Sequence, residues 1–486
     1  MCRYGRVVGW VVGLWLGRSV VVDDAREEVR WVRRFAAALV FSVLFAGCTG
    51  EVDSGPLSTV SSTTEAATIL TTTPEPATSS TVNPEVAEYL ESFEFVWGTI
   101  NERFYDPDFG GVDWEEARDR YLPQVAAAQS DLEVLFLINT MLWELGVSHI
   151  GMIPADDPGQ IDPALTSEGR LGIDVRLLNA EWVITEVRPG SPAAEVGLRP
   201  GYLLESIAGR SVELIAAMVA PMPPRHERGV RSQQIIGVQS ALYGEPGTAV
   251  TVGYRDASDR PGRAVLTFQQ RESSTAGVPM ASEVPPGFTT IEVDRLEGGI
   301  GYLRFDAFAH GMLAPLLHAI DTMQDAPGVI IDLRGNHGGT FGVRKPLIDR
   351  LVNEHALIWT YVWRGSREDV YADPAVVTYD GPLVVLIDVR SASSAEEFSG
   401  ALQAIGRAFV IGERTAGRVL VQDITEVPNG ALLIYPMGQT LLADGTVLES
   451  HGVIPDLSVT VHRSDLLEGT DPPLQAAIAH LQPTGN

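Results

Sequence analysis

Continuous apolar strands alternate with helices in the C-terminal half of this 486-residue chain, and this alternation constrains the fold more than any other feature. From Gly299 the strand segments read GYLRFDAF, GVIIDLRG, PLVVLID and AFVIGERT, with helical segments between them. Strands that are apolar at every position must be covered on both faces, because neither face is suited to water. The pattern therefore predicts an α/β core over residues 273–486, with its strands buried between layers of helices.

Two further units are predicted before this core, as a chain of this length leads us to expect. Residues 84–160 carry apolar side chains at helical spacing up to Gly146, which predicts a small helical region. Residues 161–272 contain short alternating segments, LGIDVRL, WVITEV, TAVTVGY and AVLTFQQ, separated by turn residues. This pattern predicts a β-rich domain placed between the helical region and the core.

The N-terminal segment has the pattern of a bacterial export signal. Arg33 and Arg34 precede the apolar stretch FAAALVFSVLFAGC, so residues 1–48 are predicted to be a signal peptide. The small residues before Cys48 resemble a lipobox, in which the cysteine is acylated and becomes the mature N-terminus. Residues 49–83 are rich in Ser, Thr, Pro and Ala, a composition typical of a disordered tether. We therefore expect an extracytoplasmic lipoprotein held to the cell membrane through Cys48.

Composition excludes several classes of function. The 35 basic and 63 acidic residues give a net charge of −28, which disfavours binding to nucleic acid. The two cysteines, Cys2 and Cys48, both precede the region predicted to fold, so no disulfide framework is expected there. No clustered His, Asp or Cys spacing indicates a metal site, and no cofactor is expected. The oligomeric state stays open.

A serine at a strand-to-helix turn is the first candidate for chemistry. The strand PLVVLIDV leads into Ser393, and the amphipathic segment FSGALQAIGRAF follows. A serine at this place lies at a helix N-terminus, where free N–H groups stabilise a negatively charged oxygen. A serine at a helix start is also a common N-cap, so the turn by itself leaves both interpretations open.

Three motifs in order decide between these interpretations: IIDLRGNHGG, SASSAEEFSGALQ and IGERTAGRVLVQ. They resemble the signatures of the tricorn core and C-terminal processing peptidase family. The resemblance implies a ClpP/crotonase-like α/β peptidase core with an N-terminal helical region and an inserted PDZ-like domain. It also implies that Ser393 is the nucleophile of a serine peptidase. The oxyanion donors implied are the backbone N–H groups of the glycine pair and of the residue after the nucleophile: Gly338, Gly339 and Ser394.

The general base implied by the family depends on the branch. Where the processing peptidases have a catalytic lysine, this chain has Arg418, which cannot lose its proton at a workable pH. The only lysine is Lys345. The tricorn branch uses a Ser-His-Ser-Glu tetrad, and the matching residues here are Ser148, His149 and Glu449. The resemblance therefore implies that His149 is the base and that Ser148 and Glu449 orient it.

Other residues compete for these roles. His337 and His451 are alternative bases, and Glu396 or Glu397 could replace the glutamate of the tetrad. Arg418 could form an ion pair or hold a substrate carboxylate. A histidine base with an ordinary pKa predicts that activity falls below about pH 6.

The β-rich domain resembles a PDZ domain through the stretch VRPGSPAAEVGLRPGYLLESIAGRSV. The resemblance implies a loop whose backbone N–H groups capture a peptide's C-terminal carboxylate, matched here by Arg170, Leu171 and Gly172. A spacer or a lid is the alternative role for this domain.

These features together predict a secreted, membrane-anchored serine endopeptidase or C-terminal processing peptidase, acting on proteins or peptides. The alternative is a non-catalytic protein on the same fold that binds ligands or peptides.

Overall fold

The computed structural model describes residues 84–154, 166–219, 222, 226–271, 278–281 and 284–482. The predicted signal peptide at 1–48, including Cys48, and the predicted tether at 49–83 lie outside the described residues. Within the described ranges, no helix is both long enough and apolar enough to span a membrane.

Three helices form the N-terminal region: α1 (Pro84–Arg103), α2 (Trp114–Ala126) and α3 (Asp131–Leu142). The side chains of Asp113 and Ser130 cap α2 and α3 by accepting hydrogen bonds from backbone N–H groups. These bonds satisfy amides that every helix start leaves unpaired. Gly146 ends the region in the left-handed conformation, with φ of 67°, and strand β1 (Gly151–Ile153) follows shortly after. The end of the helical region at Gly146 agrees with the sequence-based prediction.

A β-rich unit comes next, which we call the inserted β domain (residues 166–271). Its strands are β2 (Gly169–Arg170), β3 (Ile173–Leu178), β4 (Glu181–Val187), β5 (Leu203–Ile207), β6 (Arg210–Ser211), β7 (Tyr243–Gly244), β8 (Ala249–Arg255), β9 (Pro261–Thr267) and β10 (Gln269–Gln270). Its helices are α4 (Pro192–Glu195), α5 (Val212–Val219) and α6 (Glu227–Ser240).

The main sheet of the inserted β domain has the order β3-β4-β5-β8-β9, so β3 is an edge strand. In a smaller sheet, β2 lies between β7 and β10. Apolar side chains from the sheet and from α6, including Ile184, Val252 and Ile235, form a buried cluster. The domain thus has a hydrophobic core of its own.

The C-terminal α/β core contains the remaining elements. Its strands are β11 (Val278–Ala281), β12 (Val284–Gly287), β13 (Ile291–Arg295), β14 (Gly301–Phe305), β15 (Val329–Asp332), β16 (Ala356–Trp363), β17 (Ser366–Ala372), β18 (Leu383–Ile387), β19 (Phe409–Gly412), β20 (Val421–Glu426), β21 (Leu432–Leu442) and β22 (Leu457–Ser458). Its helices are α7 (Leu313–Asp321), α8 (Phe341–Asp349), α9 (Ser394–Ala404), α10 (Arg463–Glu468) and α11 (Pro472–Leu481).

Two sheets organise this core. The first has the order β13-β14-β15-β18-β19-β22, and all its pairs except β13 with β14 are parallel. The second has the order β1-β21-β16-β17, with β20 also paired to β21. Because β1 follows the helical region, this second sheet brings the segment before β1 against the core.

Strand β18 explains why the apolar run in the sequence is continuous. All five of its residues are buried. Val385 and Ile387 belong to the cluster that includes α7, α8 and α9, whereas Val384 and Leu386 pack in the cluster that includes α11. Successive side chains of a strand point to opposite faces, so each face of the sheet meets its own hydrophobic layer. The predicted burial on both faces is confirmed.

The parallel pairing of β15 with β18 positions the candidate residues. Asp332 lies opposite Leu386 in this pair, so both strands end at the same edge of the sheet. The chain after β15 carries the glycine pair, and the chain after β18 carries Ser393. Two motifs separated by more than fifty residues therefore meet at this edge.

Candidate active site

Ser393 precedes α9 in a backbone conformation that non-glycine residues rarely adopt, with φ of 52° and ψ of −119°. Its N–H donates to the carbonyl oxygen of Arg418 at 2.8 Å, and the preceding Ala392 donates to the carbonyl oxygen of Asn336 at 3.0 Å. His149 also has a positive φ, of 57°. Conformations of this kind persist only where surrounding bonds enforce them, and they concentrate at functional sites.

The glycine pair packs directly against the serine turn. A Cβ on Gly338 would lie 2.7 Å from the Ser393 Cβ and 2.9 Å from the Ser394 nitrogen, so only glycine fits there. The Gly338 N–H, however, donates to Asn336 Oδ1 at 2.9 Å. The prediction that Gly338 supplies an oxyanion donor is therefore wrong, because its amide is already engaged by a side chain.

Two N–H groups near the serine remain available. Within the described part of the chain, no hydrogen bond occupies the N–H of Gly339 or that of Ser394. We call these two groups the donor amides. Ser394 is the first residue of α9, whose N-terminal dipole favours negative charge. The arrangement is chemically suited to stabilise an oxygen that becomes negative next to Ser393.

Ser148, His149 and Glu449 form one hydrogen-bonded chain. Ser148 Oγ lies 2.7 Å from His149 Nδ1 and donates to Glu449 Oε2 at 3.0 Å. The carboxylate also accepts from the backbone N–H of Ser148 at 2.9 Å and of Val419 at 2.8 Å. Since the Ser148 hydroxyl has a single hydrogen, which it donates to Glu449, the imidazole must donate from Nδ1. Nε2 then carries a lone pair and is the nitrogen that can accept a proton.

Burial and charge set the protonation state of this chain. Burial, and to a smaller extent the positive charge of Arg418, lower the pKa of His149 to about 3. Burial raises the pKa of Glu449, against the effect of the hydrogen bonds that it accepts. The imidazole is therefore neutral over the whole range near pH 7. An imidazole with its pKa lowered this far moves the expected acidic limb of activity below the pH of about 6 that an ordinary histidine predicts.

The segment around Arg418 joins the serine turn to the histidine chain. The carbonyl of Arg418 accepts from Ser393, and the next residue, Val419, donates to Glu449. The N–H of Arg418 donates to Glu396 Oε2 at 2.9 Å. The position that matches the family's lysine is thus a backbone junction between the two halves of the site.

Glu396 braces this junction and does not contact His149. Besides the bond from Arg418, its carboxylate accepts from Thr415 Oγ1, from the N–H of Gly417 at 2.7 Å and from the N–H of Ser393 at 3.2 Å. Burial raises its pKa to about 7. Sequence reasoning treated Glu396 as a rival of Glu449, but its partners lie on the turn rather than on the imidazole.

The remaining alternatives lie elsewhere. His337 lines a polar cavity of about 170 Å³ between the inserted β domain and the core, together with Asp174 and Arg390. His451 Nδ1 lies 2.9 Å from the carbonyl oxygen of Glu449. Lys345 pairs with Asp349 at 2.8 Å.

Glu397 pairs with Arg344 inside the core. From the sequence, Glu397 was a substitute for the tetrad glutamate or a first-turn complement to the helix dipole, and Arg344 was not singled out. The charge of an arginine in an otherwise ordinary helix start was the one signal that could have indicated this pair.

The loop predicted to capture a carboxylate does not present a row of free amides. Gly169 and Arg170 form the middle strand of the three-stranded sheet, and the N–H of Leu171 donates to the carbonyl oxygen of Leu242 at 3.2 Å. Gly172 has φ of 79° and packs against Ser191. The prediction that Leu171 offers a donor is wrong, because the chain itself occupies its amide.

Side chains of α6 also cover the neighbouring edge strand β3. Gln239 accepts from the N–H of Val175 and donates to the carbonyl oxygen of Ile173, both at 3.0 Å. Arg231 donates to the carbonyl oxygen of Leu177 at 2.7 Å. These three backbone groups of β3 are therefore bonded to side chains of α6, a feature that no sequence motif indicated.

Metal ligands were not expected from the sequence. Among the described residues, no group of three or more His, Cys, Asp or Glu side chains is arranged to hold a metal ion.

Comparison with family models identifies two segments. Residues 299–459 match peptidase family S41, and residues 85–143 match the tricorn protease C1 domain. The first segment contains the serine turn, the glycine pair and Glu449, and the second covers most of the helical region that precedes His149.

Curated relatives cover most of the chain at low identity. The carboxyl-terminal-processing protease of Synechocystis sp. is 25% identical over 383 residues, 77% of this chain and 82% of that protein. Tricorn protease homolog 1 of Streptomyces coelicolor is 25% identical over 409 residues, 82% of this chain. The chain spans only 35% of the length of that tricorn homologue.

A solved structure shares the fold. The photosystem II D1 C-terminal processing protease superposes with a TM-score of 0.53 at 20% identity, covering 76% of this chain and 93% of the other. The mixed α/β architecture described above is thus similar to that of a processing protease.

Proposed function

From the premise that this chain belongs to peptidase family S41 and is a serine-type hydrolase, we propose that Ser393 cleaves peptide bonds with His149 as its general base. One observation carries the proposal: the bonded chain from Glu449 through Ser148 leaves Nε2 of His149 as a proton acceptor. The segment at Arg418 supports it, because its carbonyl accepts from the Ser393 N–H while the N–H of Val419 donates to Glu449.

The chemistry follows from these groups. Ser393 Oγ attacks the peptide carbonyl while its proton passes to Nε2 of His149, and the carbonyl oxygen becomes an oxyanion next to the donor amides. The C–N bond then breaks, and the leaving amine takes the proton from Nε2. Water then gives a proton to Nε2 and attacks the acyl carbon. The C–Oγ bond breaks, and Ser393 Oγ takes the proton back from Nε2.

Glu449 has a specific task in this mechanism. A pKa of about 3 means that the protein environment disfavours the imidazolium that each transfer creates. The carboxylate compensates that charge through Ser148, and its bonds to the N–H groups of Ser148 and Val419 hold it in place. We therefore assign orientation and charge compensation to Glu449, and proton transfer to His149.

The decisive test is covalent labelling with a serine-directed fluorophosphonate, combined with peptide cleavage. Ser393→Ala should lose both labelling and cleavage. Ser399→Ala is the matched control, because it removes a buried hydroxyl from the same helix, and it should keep both. A folded protein that neither labels nor cleaves would favour the alternative, a non-catalytic binding protein on the same fold.

The substrates in this proposal are proteins or peptides cut near their C-termini, as the names of the processing relatives suggest. The inserted β domain acts as a PDZ-like module that binds extended peptides between β3 and α6. The edge position of β3 supports this role. A bound peptide would first have to displace Gln239 and Arg231 of α6, which bond to backbone groups of β3.

The place of action in this proposal is outside the cytoplasmic membrane, on a lipid attached to Cys48. The signal-like stretch and the Ala46-Gly47-Cys48 sequence support it. Cys48→Ser should abolish lipid incorporation and release the protein from the membrane fraction. Unchanged membrane association and processing would contradict the anchor.

A further inference from the structure

The two donor amides belong to segments that are far apart in sequence but joined by a side chain. Ser394 Oγ donates to the carbonyl oxygen of Gly339 at 2.8 Å. This hydroxyl therefore links Ser394 and Gly339, the two residues that carry the donor amides. For both amides to bond one oxygen, each must lie about 2.7–3.1 Å from it, so the spacing between the segments matters.

A buried ion pair lies next to the Ser394 hydroxyl. Arg344 in α8 and Glu397 in α9 are 1% and 2% exposed and form a salt bridge. Arg344 Nη1 lies 3.3 Å from Ser394 Oγ, and Nη2 donates to the Tyr361 hydroxyl at 2.7 Å. Thr440 Oγ1 donates to the other carboxylate oxygen of Glu397.

The ion pair is held in one geometry. The Arg344 guanidinium stacks on Phe341 and Trp359, with centroid distances of 4.8 and 5.2 Å. Arginine presents its donors in a rigid planar fork, so fixing the plane fixes where each N–H points. A buried ion pair contributes little net stability compared with apolar side chains of similar volume. We therefore assign the pair a different role, which is to fix the directions of the Arg344 N–H groups.

We propose that Ser394, through its hydroxyl, and the Arg344–Glu397 pair are positioning residues that set the spacing of the donor amides. This inference rests on the proposed function, since it concerns the oxyanion of the Ser393 reaction. Arg344 aligns the Ser394 hydroxyl, the hydroxyl holds the Gly339 peptide group, and the helix start and the glycine segment then face the same oxygen.

Ser394→Ala tests the hydroxyl, with Ser399→Ala as the matched control. Both serines are fully buried in α9, but Ser399 Oγ donates to Ala395 within its own helix. Loss of a complete oxyanion donor costs about 10²–10³ in kcat, and a misplaced donor should cost less. We expect Ser394→Ala to lower kcat about tenfold with little change in KM, and Ser399→Ala to leave both unchanged.

A transition-state analogue separates positioning from general destabilisation. The affinity of a peptide boronic acid should fall in Ser394→Ala by the same factor as kcat/KM, while the affinity of the uncleaved peptide, measured with Ser393→Ala added, should not change. Equal kcat and equal boronate affinity in Ser394→Ala and the parent would overturn the role of the hydroxyl.

The double variant Arg344→Met/Glu397→Leu tests the ion pair without leaving a buried charge. Its melting temperature should stay close to that of the parent, because an apolar pair can replace a buried ion pair. Its kcat should remain about tenfold low. Full recovery of kcat in this folded variant would overturn the positioning role of the pair. Cleavage that survives Ser393→Ala would instead overturn the proposed function itself.

Discussion

The serine turn and the edge strand β3 are the two places where we propose that backbone groups meet a peptide, and their backbone groups are in opposite states. At the serine turn, the described structure leaves the N–H groups of Gly339 and Ser394 unbonded. At β3, Gln239 and Arg231 bond the outward groups of Ile173, Val175 and Leu177.

The difference has a physical origin. A helix start always leaves its first N–H groups without intrahelical partners, so the donor amide of Ser394 comes with the fold. An exposed strand edge invites unwanted pairing and is commonly protected. The backbone therefore keeps the proposed site of chemistry open, whereas side chains cover the proposed peptide edge and a bound peptide would have to displace them.

The largest expected effect concerns His149, the proposed general base at the serine turn, where the amides are open. His149→Ala should lower kcat by about two to four orders of magnitude, approaching the loss in Ser393→Ala, because no group would accept the serine proton. Lys345→Arg is the control and should change little, since Lys345 pairs with Asp349 instead. Steady-state cleavage of a peptide measures both. Near-normal turnover in His149→Ala would return attention to His337 and His451.

A smaller loss is expected when the acid of the chain is neutralised. Glu449→Gln keeps the shape and can still accept from Ser148, but it removes the charge that compensates the imidazolium. We expect kcat to fall about 10- to 100-fold, less than for loss of the base. Glu413→Gln is the control, because it alters a carboxylate that pairs with Arg176 of the inserted β domain. Glu397→Gln is unsuitable as a control, because Glu397 belongs to the pair proposed to position the donor amides. A loss as large as that of His149→Ala would argue that Glu449 does more than compensate charge.

The pH dependence of kcat/KM tests the protonation state of His149 at the open serine turn. Because the pKa of His149 is lowered to about 3, the acidic limb of kcat/KM should lie well below pH 6. Arg418→Gln removes a positive charge that lowers this pKa, so the pKa should rise and the limb should move to higher pH. Arg414→Gln is the matched control and should leave the limb in place. A limb near pH 6 in the parent would contradict a neutral imidazole with a strongly lowered pKa.

The smallest effect is expected at β3, where side chains of α6 cover the backbone groups. Gln239→Ala uncovers the N–H of Val175 and the carbonyl of Ile173, which a peptide strand could then bond. A typical hydrogen bond contributes about 0.5–1.5 kcal/mol net, so peptide affinity should rise about 2- to 10-fold. Calorimetry on the full chain carrying Ser393→Ala measures it, with Gln234→Ala on the same helix as the control. Unchanged or weaker binding would mean that β3 is not the peptide edge.

Several features of the site could be predicted from the sequence because they are local. The continuous apolar strands required burial on both faces, and the serine after PLVVLIDV had to lie at a helix start. The motifs pointed to Ser148, His149 and Glu449, and these three residues do share one hydrogen-bonded chain. Arg418 at the position of the family's lysine also excluded a lysine base there.

Other features depend on partners that only the folded chain brings together. Ser148 and Glu449 are 301 residues apart, and their bond determines which nitrogen of His149 is basic. The amides of Gly338 and Leu171 looked available in the motifs, but Asn336 and Leu242 occupy them.

The α/β layering, the helix-start serine and the exclusion of lysine could be predicted from short segments, because periodicity, turn chemistry and side-chain acidity are local properties. The tertiary structure decided the tautomer and low pKa of His149, the choice of donor amides and the closure of β3. Hydrogen-bond partners and loss of water depend on what packs against a group from distant parts of the chain, and no local pattern records that.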